Sequence, residues 1–308
     1  MPLVFGFGMA YSPLFYRPRS AWENVARFLT GPVPQPATAA EETPARLDEL
    51  QGRLNGVLDK LTQRVRDAKL DALVVLVADH GRYFNAANVP LLHIFAGDEV
   101  WGVAGIAALS ETETRTTLKC DAATGDLLLE EVVGQGFDVA ESRGEFRPLG
   151  DPVRGAGAPL LEAVVRVGSG TPIVPVHLNC HSQPALPGRR ANAFGAALGK
   201  ALQFSEKRVG ILASGGLSGD PHGPLGGWVD DVLDDWVLRR LRTGRSAEVG
   251  RIWDVESQNL VGSAAEIRLW TAAGGAMEAV GARAEVIDYI RFHHAAVGAG
   301  FAVWETSR

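Results

Sequence analysis

Leu70-Asp71-Ala72-Leu73-Val74-Val75-Leu76-Val77 runs directly into Ala78-Asp79-His80-Gly81. The run is apolar and largely β-branched after Asp71, too uniform for a strand with one wet face. It reads as a central strand covered on both sides, with a polar exit at its carboxyl end. Similar runs recur at Val89–Phe95, Pro172–Leu178 and Arg208–Ala213. Residues 3–9 form another, with the chain leaving it at Tyr11-Ser12-Pro13.

Helical spacing fills the intervals. From Pro44 onward Leu47, Leu50, Leu54, Leu58, Leu61 and Val65 repeat at the interval that places them on one helix face. Further helical patterns lie around Ala156–Val165, Arg189–Phe204, Trp228–Leu241 and Ala264–Val280. Alternating strand and helix predict an α/β fold, a central mixed sheet with helices on both faces. Residues 31–44, rich in Pro, Thr and Ala, read as a surface loop, and Ser110–Pro152 as irregular loops over one end of the sheet. No internal repeat or linker interrupts the pattern, so residues 1–308 are read as a single domain.

Composition narrows the function classes. Hydrophobic residues make up 46% and charged residues 21% of the chain, enough for a sizeable core. The formal net charge is -6 and no Lys/Arg stripe is present, which argues against a nucleic-acid partner. The two cysteines, Cys120 and Cys180, make neither a disulfide framework nor a zinc spacing, and fit a reducing, cytoplasmic setting. Met1–Pro13 lacks the charge and cleavage site of a signal peptide and reads as a first buried strand. No apolar run reaches the length of a membrane span, so a soluble protein with no membrane partner is expected.

In sheets of this kind ligands bind beyond the carboxyl ends of the strands. Three suggestive exits fall there: Asp79-His80-Gly81, Asn179-Cys180-His181 and Ser214-Gly215-Gly216-Leu217-Ser218. A lone Asp-His pair is weak evidence. Three polar or glycine-rich exits converging on one face point to a site.

The order of segments is more specific. Tyr11-Ser12-Pro13-Leu14, Val77-Ala78-Asp79-His80, the segment from Arg154 through Ala158-Pro159-Leu160, Val174-Pro175-Val176-His177-Leu178-Asn179, Ser214-Gly215-Gly216-Leu217-Ser218 and Glu266-Ile267-Arg268-Leu269-Trp270 follow one another along the chain. This order resembles that of the class III extradiol ring-cleavage dioxygenases, from about residue 8 to about residue 280. The resemblance implies ferrous iron, Fe(II), held by two histidines and a glutamate, with a further histidine moving protons at the substrate.

Position by position, the resemblance implies His80 and Glu266 as metal ligands. Tyr11 stands where the first iron-ligating histidine is expected, Arg154 where a second-segment histidine is expected, and Gly219 where the Ser-Gly-Gly-Leu-Ser-His loop would close. Tyr11 can be a tyrosinate ligand, a neutral hydrogen-bond donor to substrate, or a filler of vacated space; the last two rank above ligation. His181 and His222 are candidates for restoring lost chemistry. Arg154, Ser218, Gly219 and Asn179 are candidates for binding substrate. His93 and the pair His293-His294 read as structural, and the i, i+4 pair His177/His181 is not expected to meet, because it sits at a strand end rather than on a helix. Buried carboxylates require partners, so Glu266 is expected to pair with Arg154 or His80 when no metal is held.

Three functions follow from this reading. One is an oxygenase acting on a catechol-, aminophenol- or hydroxyaromatic-type small molecule, with an altered iron site. Another is a metal-free, non-catalytic subunit paired with an intact homologue. The third is a metal-independent enzyme reusing the aromatic pocket. A homo-oligomer, or a hetero-oligomer with an active homologue, fits these readings.

Overall fold

In the computed structural model, Ala72–Val77 (β2) is buried at every position, as its uniform apolar pattern requires. The structure describes residues 2–145, 155–255, 257 and 260–306. Leu3–Met9 (β1), Leu92–Phe95 (β3), Ala140–Ser142 (β6), Ile173–Leu178 (β7), Val209–Ser214 (β8), Ala284–Phe292 (β9) and Val297–Glu305 (β10) join it in one mixed sheet. The order is β6-β3-β7-β2-β8-β1-β10-β9. At its centre β7, β2, β8 and β1 run parallel. β3 is antiparallel to β7, and β10 is antiparallel to both β1 and β9. Glu99–Ala104 (β4) and Thr114–Lys119 (β5) form a separate antiparallel pair.

Helices cover both faces. On one side Leu73, Val75 and Val77 pack with residues of Trp22–Thr30 (α1), Pro44–Ala68 (α2) and Ala158–Val167 (α4). On the other, Val74 and Leu76 pack with residues of Ala122–Gly134 (α3), Gly188–Ala201 (α5), Asp231–Arg242 (α6), Ser246–Val249 (α7) and Ile267–Ala279 (α8). Alternate side chains of one strand thus serve two cores, the reason the central strands read as unbroken apolar runs.

The helix expected from Pro44 starts there. Thr43 accepts a hydrogen bond from the Arg46 N–H, and Pro44 sits in the first turn, where its missing N–H costs nothing. Its buried stripe is Leu47, Leu50, Leu54, Val57, Leu58, Leu61 and Val65. Each such side chain contributes about 1.5–3 kcal/mol when fully buried. α5 and α8 approach closely because glycines face the contact: a Cβ on Gly195 would lie 1.9 Å from the Ala272 carbonyl oxygen, and one on Gly199 2.3 Å from that of Ala276.

The structure corrects the reading of Ser110–Pro152 as irregular. The described part holds β5, α3 and β6. β5 reads Thr114-Arg115-Thr116-Thr117-Leu118-Lys119 and is mostly exposed, so it lacks the apolar signature of a core strand. The hairpin of β9 and β10 was also unforeseen. No helix is long and apolar enough to cross a membrane among the described residues.

Candidate metal centre and cavity

The parallel strands all end on one edge of the sheet, and each hands the chain to a loop there. β2 and β7 are neighbours with Val77 opposite His177. His80 and His181 lie three and four residues beyond that pair, so adjacent strands bring them together. Their ring centroids are 4.7 Å apart. Glu266 joins them from the short turn that precedes α8.

Glu266 is 4% exposed and fully engaged. Its Oε2 accepts the Gly216 N–H at 2.7 Å. Its Oε1 lies 2.9 Å from His80 Nε2 and 3.1 Å from His181 Nε2. The Gly215-Gly216 pair makes room for this carboxylate: a Cβ on Gly215 would stand 2.8 Å from Glu266 Oε2. Burial alone would raise the Glu266 pKa, but the hydrogen bonds from His181 and His80 and the charge they carry hold it well below the usual carboxylate range. Burial works to lower the His80 pKa, and the Glu266 hydrogen bond and charge outweigh it, leaving it above the ordinary histidine value. His80 lines the cavity and keeps 44% of its side chain exposed.

This donor set fits a divalent metal. One ligand atom each from His80, His181 and Glu266 falls within 4.8 Å of the others. Metal–nitrogen and metal–oxygen bonds of about 2.1 Å at right angles place neighbouring donor atoms about 3.0 Å apart. The two edges at Glu266 Oε1, 2.9 and 3.1 Å, are hydrogen-bond contacts close to that spacing, and the remaining pair of donor atoms lies within 4.8 Å. Two imidazoles and one carboxylate are the set expected of non-haem Fe(II) oxygenases.

The loop that carries His80 is tightly wound. Asp79 Oδ1 accepts the N–H groups of Arg82 (3.2 Å) and Tyr83 (2.8 Å), and Oδ2 those of Gly81 (3.1 Å) and Phe84 (3.0 Å). The His181 loop is organised by Asn179, whose Oδ1 accepts the Ser182 N–H at 2.9 Å and whose Nδ2 donates to the carbonyls of Ser182 (2.8 Å) and Pro184 (3.3 Å). The Asn179 side chain is spent on its own loop.

Above the three donors opens a cavity of about 500 Å³. Tyr11, His222, Arg17 and Arg82 line it together with His80, His181 and Glu266. Apolar parts of its lining come from Phe28, Leu29, Ile106, Ala107, Ala108 and Pro159. The Ile106–Ala108 wall carries no sequence signature and was missed.

Tyr11 lines the cavity, and its hydroxyl donates to Glu162 Oε2 at 2.7 Å. Burial, then the neighbouring Glu162 carboxylate, push the phenol far above its usual pKa. A tyrosinate ligand is therefore disfavoured, and a hydroxyl given to Glu162 is not free to donate to substrate either. Arg17 ion-pairs with both Glu162 and Glu111 behind it.

His222 lies on the cavity wall with φ of +66°. Its N–H donates to the Leu29 carbonyl at 2.7 Å, and its Nδ1 sits 3.1 Å from the Phe28 carbonyl oxygen. A carbonyl can only accept, so Nδ1 carries the proton and Nε2 is left as the basic nitrogen.

Ser218 and Gly219 do not line this cavity. Ser218 N–H and Oγ both bond Asp234, each at 2.7 Å, and Tyr289 completes that carboxylate at 2.8 Å. Gly219 has φ of +134°, and a Cβ there would meet the Ala296 carbonyl oxygen at 2.2 Å. Both instead border a second, smaller pocket, where one supports a buried carboxylate and the other admits no side chain. Arg154 lies outside the described residues. Of the two partners expected for Glu266, His80 is found, and His181 is added. The expectation of only two protein donors at the metal position is replaced by three. His93 and His177 pair with each other (Nδ1 to Nδ1, 3.1 Å), away from His181. His293 and His294 are tied to Glu42 and the loop around residue 38.

Comparison with known proteins agrees with this architecture. A family model described as the catalytic LigB subunit of aromatic ring-opening dioxygenase matches residues 34–302, a segment that begins after Tyr11. A 2,3-dihydroxyphenylpropionate/2,3-dihydroxicinnamic acid 1,2-dioxygenase of Rhodococcus sp. is 30% identical over 208 residues, covering 63% of either chain. The protein of the same name from Photorhabdus laumondii is 28% identical over 63% of this chain and 60% of its own length. That of Paraburkholderia xenovorans is 30% identical over 39% of this chain and 52% of its own. The matches thus span between half and two thirds of these relatives. A crystal structure of an uncharacterized Escherichia coli K12 protein superposes over 97% of this chain and 99% of its own with a TM-score of 0.54 at 10% identity, a likeness of fold. Matched over most of its length, the chain belongs to the LigB family of aromatic ring-opening dioxygenases.

Proposed function

We propose that the chain is an oxygenase that opens an aromatic ring bearing adjacent hydroxyl or amino groups, with Fe(II) held by His80, His181 and Glu266. The observation that carries this reading is the convergence of two imidazole nitrogens and one carboxylate oxygen within 4.8 Å on the floor of the cavity. When bound, the iron supplies the electron transfer that lets such a ring react with dioxygen, both oxygen atoms ending in the opened product.

The chain's own residues bind, orient and move protons. Glu266 stays ionised because two imidazoles and one main-chain N–H face it. The Tyr11 ring, held by its bond to Glu162 and stacked on Tyr16 at 5.7 Å, closes the side where the resemblance places a histidine. His222 Nε2 takes the substrate hydroxyl proton, with the tautomer fixed by the Phe28 carbonyl. A single ring fills only part of a cavity of about 500 Å³, and part of its lining is apolar. The substrate therefore carries an apolar substituent that reaches Ile106–Ala108.

The test is to load metal-free protein with Fe(II) anaerobically, then measure bound iron and oxygen uptake with catechol and with alkyl- or aryl-substituted catechols. Stoichiometric iron and faster uptake with the substituted compounds are expected. Failure to bind iron while folded would sink the reading. It would favour the second one, a metal-free subunit, to which the Tyr11 substitution also points.

A further inference from the structure

Behind the His80 loop, and outside the cavity, lies a buried polar chain that the proposed chemistry does not use. Tyr83 Oη is 2.8 Å from Ser142 Oγ, and Ser142 Oγ is 2.8 Å from His93 Nε2. His93 Nδ1 is 3.1 Å from His177 Nδ1. His93 is 1%, Tyr83 2%, His177 5% and Ser142 8% exposed. The Tyr83 ring stacks on His177 at 5.1 Å, and Phe84 meets both imidazoles edge-on.

The direction of this chain follows from donor counting. A neutral imidazole has one N–H, so only one nitrogen of the Nδ1···Nδ1 contact holds a proton. If His177 donates, His93 must donate to Ser142, and only one of the Ser142 and Tyr83 hydroxyls can then donate to the other, which leaves one buried O–H without an acceptor among these groups. If His93 donates, Tyr83 donates to Ser142, Ser142 to His93, and every hydroxyl and shared nitrogen is satisfied. Burial supports neutral imidazoles: it lowers the pKa of His93 to about 2 and that of His177 to about 4.

We propose that the chain Tyr83→Ser142→His93→His177 is a positioning element for His80. Tyr83 lies three residues after His80, in the turn wound around Asp79. It fastens that turn to β6, β3 and β7 at once, since Ser142, His93 and His177 belong to those strands. The histidine at the metal position is thereby held from beneath by groups that never touch the metal, an arrangement in which outer partners tune affinity. The inference rests on the triad reading for its consequence, and on the geometry alone for its mechanism.

Amide exchange of residues 79–84 in metal-free protein tests the mechanism, and Co(II) titration tests the consequence. Tyr83→Phe keeps the stacked ring and removes the terminal donor. Ser142→Ala cuts the chain, and Ser142→Thr restores its hydroxyl. Exchange in 79–84 should rise at least about fivefold in the first two and return toward wild type in the third, with the central strands unchanged. Co(II) affinity should fall about tenfold or more in step. Unchanged exchange in 79–84, or an equal rise across the whole sheet, would overturn the proposal. Should wild type bind no Co(II), the triad reading falls and the exchange result still decides the positioning role.

Discussion

The Gly216 N–H donates to Glu266 Oε2 at 2.7 Å, and that one bond decides which carboxylate oxygen is free for the histidines. Oε1 is left facing His80 and His181. The glycine-rich strand exit thus acts on the metal position by holding one of its donors, a glutamate fifty residues later, rather than by supplying a donor of its own.

A methyl group at residue 215 should disturb this arrangement from behind. The Cβ of Gly215→Ala would lie 2.5 Å from Leu269 Cδ1 and 2.8 Å from Glu266 Oε2. The carboxylate must shift, and Co(II) or Fe(II) affinity should drop about 10–100-fold. Competition titration against a chelator measures it, and unchanged affinity would contradict the stated role of Gly215.

His181 and Tyr11 should separate cleanly. His181→Ala should abolish stable metal binding, because it removes one of three donors. Tyr11→Phe should leave metal content intact and lower stability by about 1–3 kcal/mol, since Glu162 loses a buried donor. Metal analysis and urea denaturation of both variants give the comparison. Loss of metal in Tyr11→Phe would restore the tyrosine as a ligand.

His222→Gln should slow turnover about 10²–10⁴-fold while iron content stays constant. Oxygen uptake at saturating substrate reads the effect. Wild-type rates in His222→Gln would shift proton transfer to another group.

Acid should weaken the fold through His177. Its pKa is lowered to about 4 in the native state against 6.5 unfolded, by burial, with the Asp79 charge opposing. A depressed histidine contributes stability fully above the unfolded value and loses it as pH falls from about 6.5 toward 4, at roughly 1.4 kcal/mol per pH unit per proton. His93, lowered to about 2, acts in the same sense. Asp234 and Glu145, raised by burial to about 6 and about 7, act in the opposite one. The difference between wild type and His177→Phe therefore carries the His177 contribution together with the loss of its contact with His93. Urea midpoints at pH 7 and 4.5 should diverge in slope, and parallel curves would refute it.

The central sheet was legible because strands buried on both faces announce themselves, as Ala72–Val77, Ile173–Leu178 and Val209–Ser214 do. α2 was legible from its leucine stripe and its Thr43-Pro44 start. β10 was not, because Val297-Gly298-Ala299-Gly300 has little strand propensity and is held by neighbours: a Cβ on Gly298 would lie 1.8 Å from Asp234 Oδ2. At the site, the family pattern singled out His80 and Glu266. His181 was singled out only as a replacement for lost chemistry, because its nearness to His80 depends on β7 lying beside β2, and strand order is not written in local sequence. Ser218 and Asn179 were visible as polar strand exits, but only packing shows that their hydrogen bonds are already spent inside the fold.

Gly219 places a limit on how this site can change. Its backbone at φ of +134° lies against the Ala296 carbonyl of the β9–β10 turn, closer than any side chain tolerates. An imidazole cannot be regained at that position by one substitution, since the turn would have to move first. A histidine where the resemblance expects one therefore takes two changes, a shift of the hairpin turn and the side chain itself. His222, which already lies on the cavity wall, carries an imidazole there without any such movement.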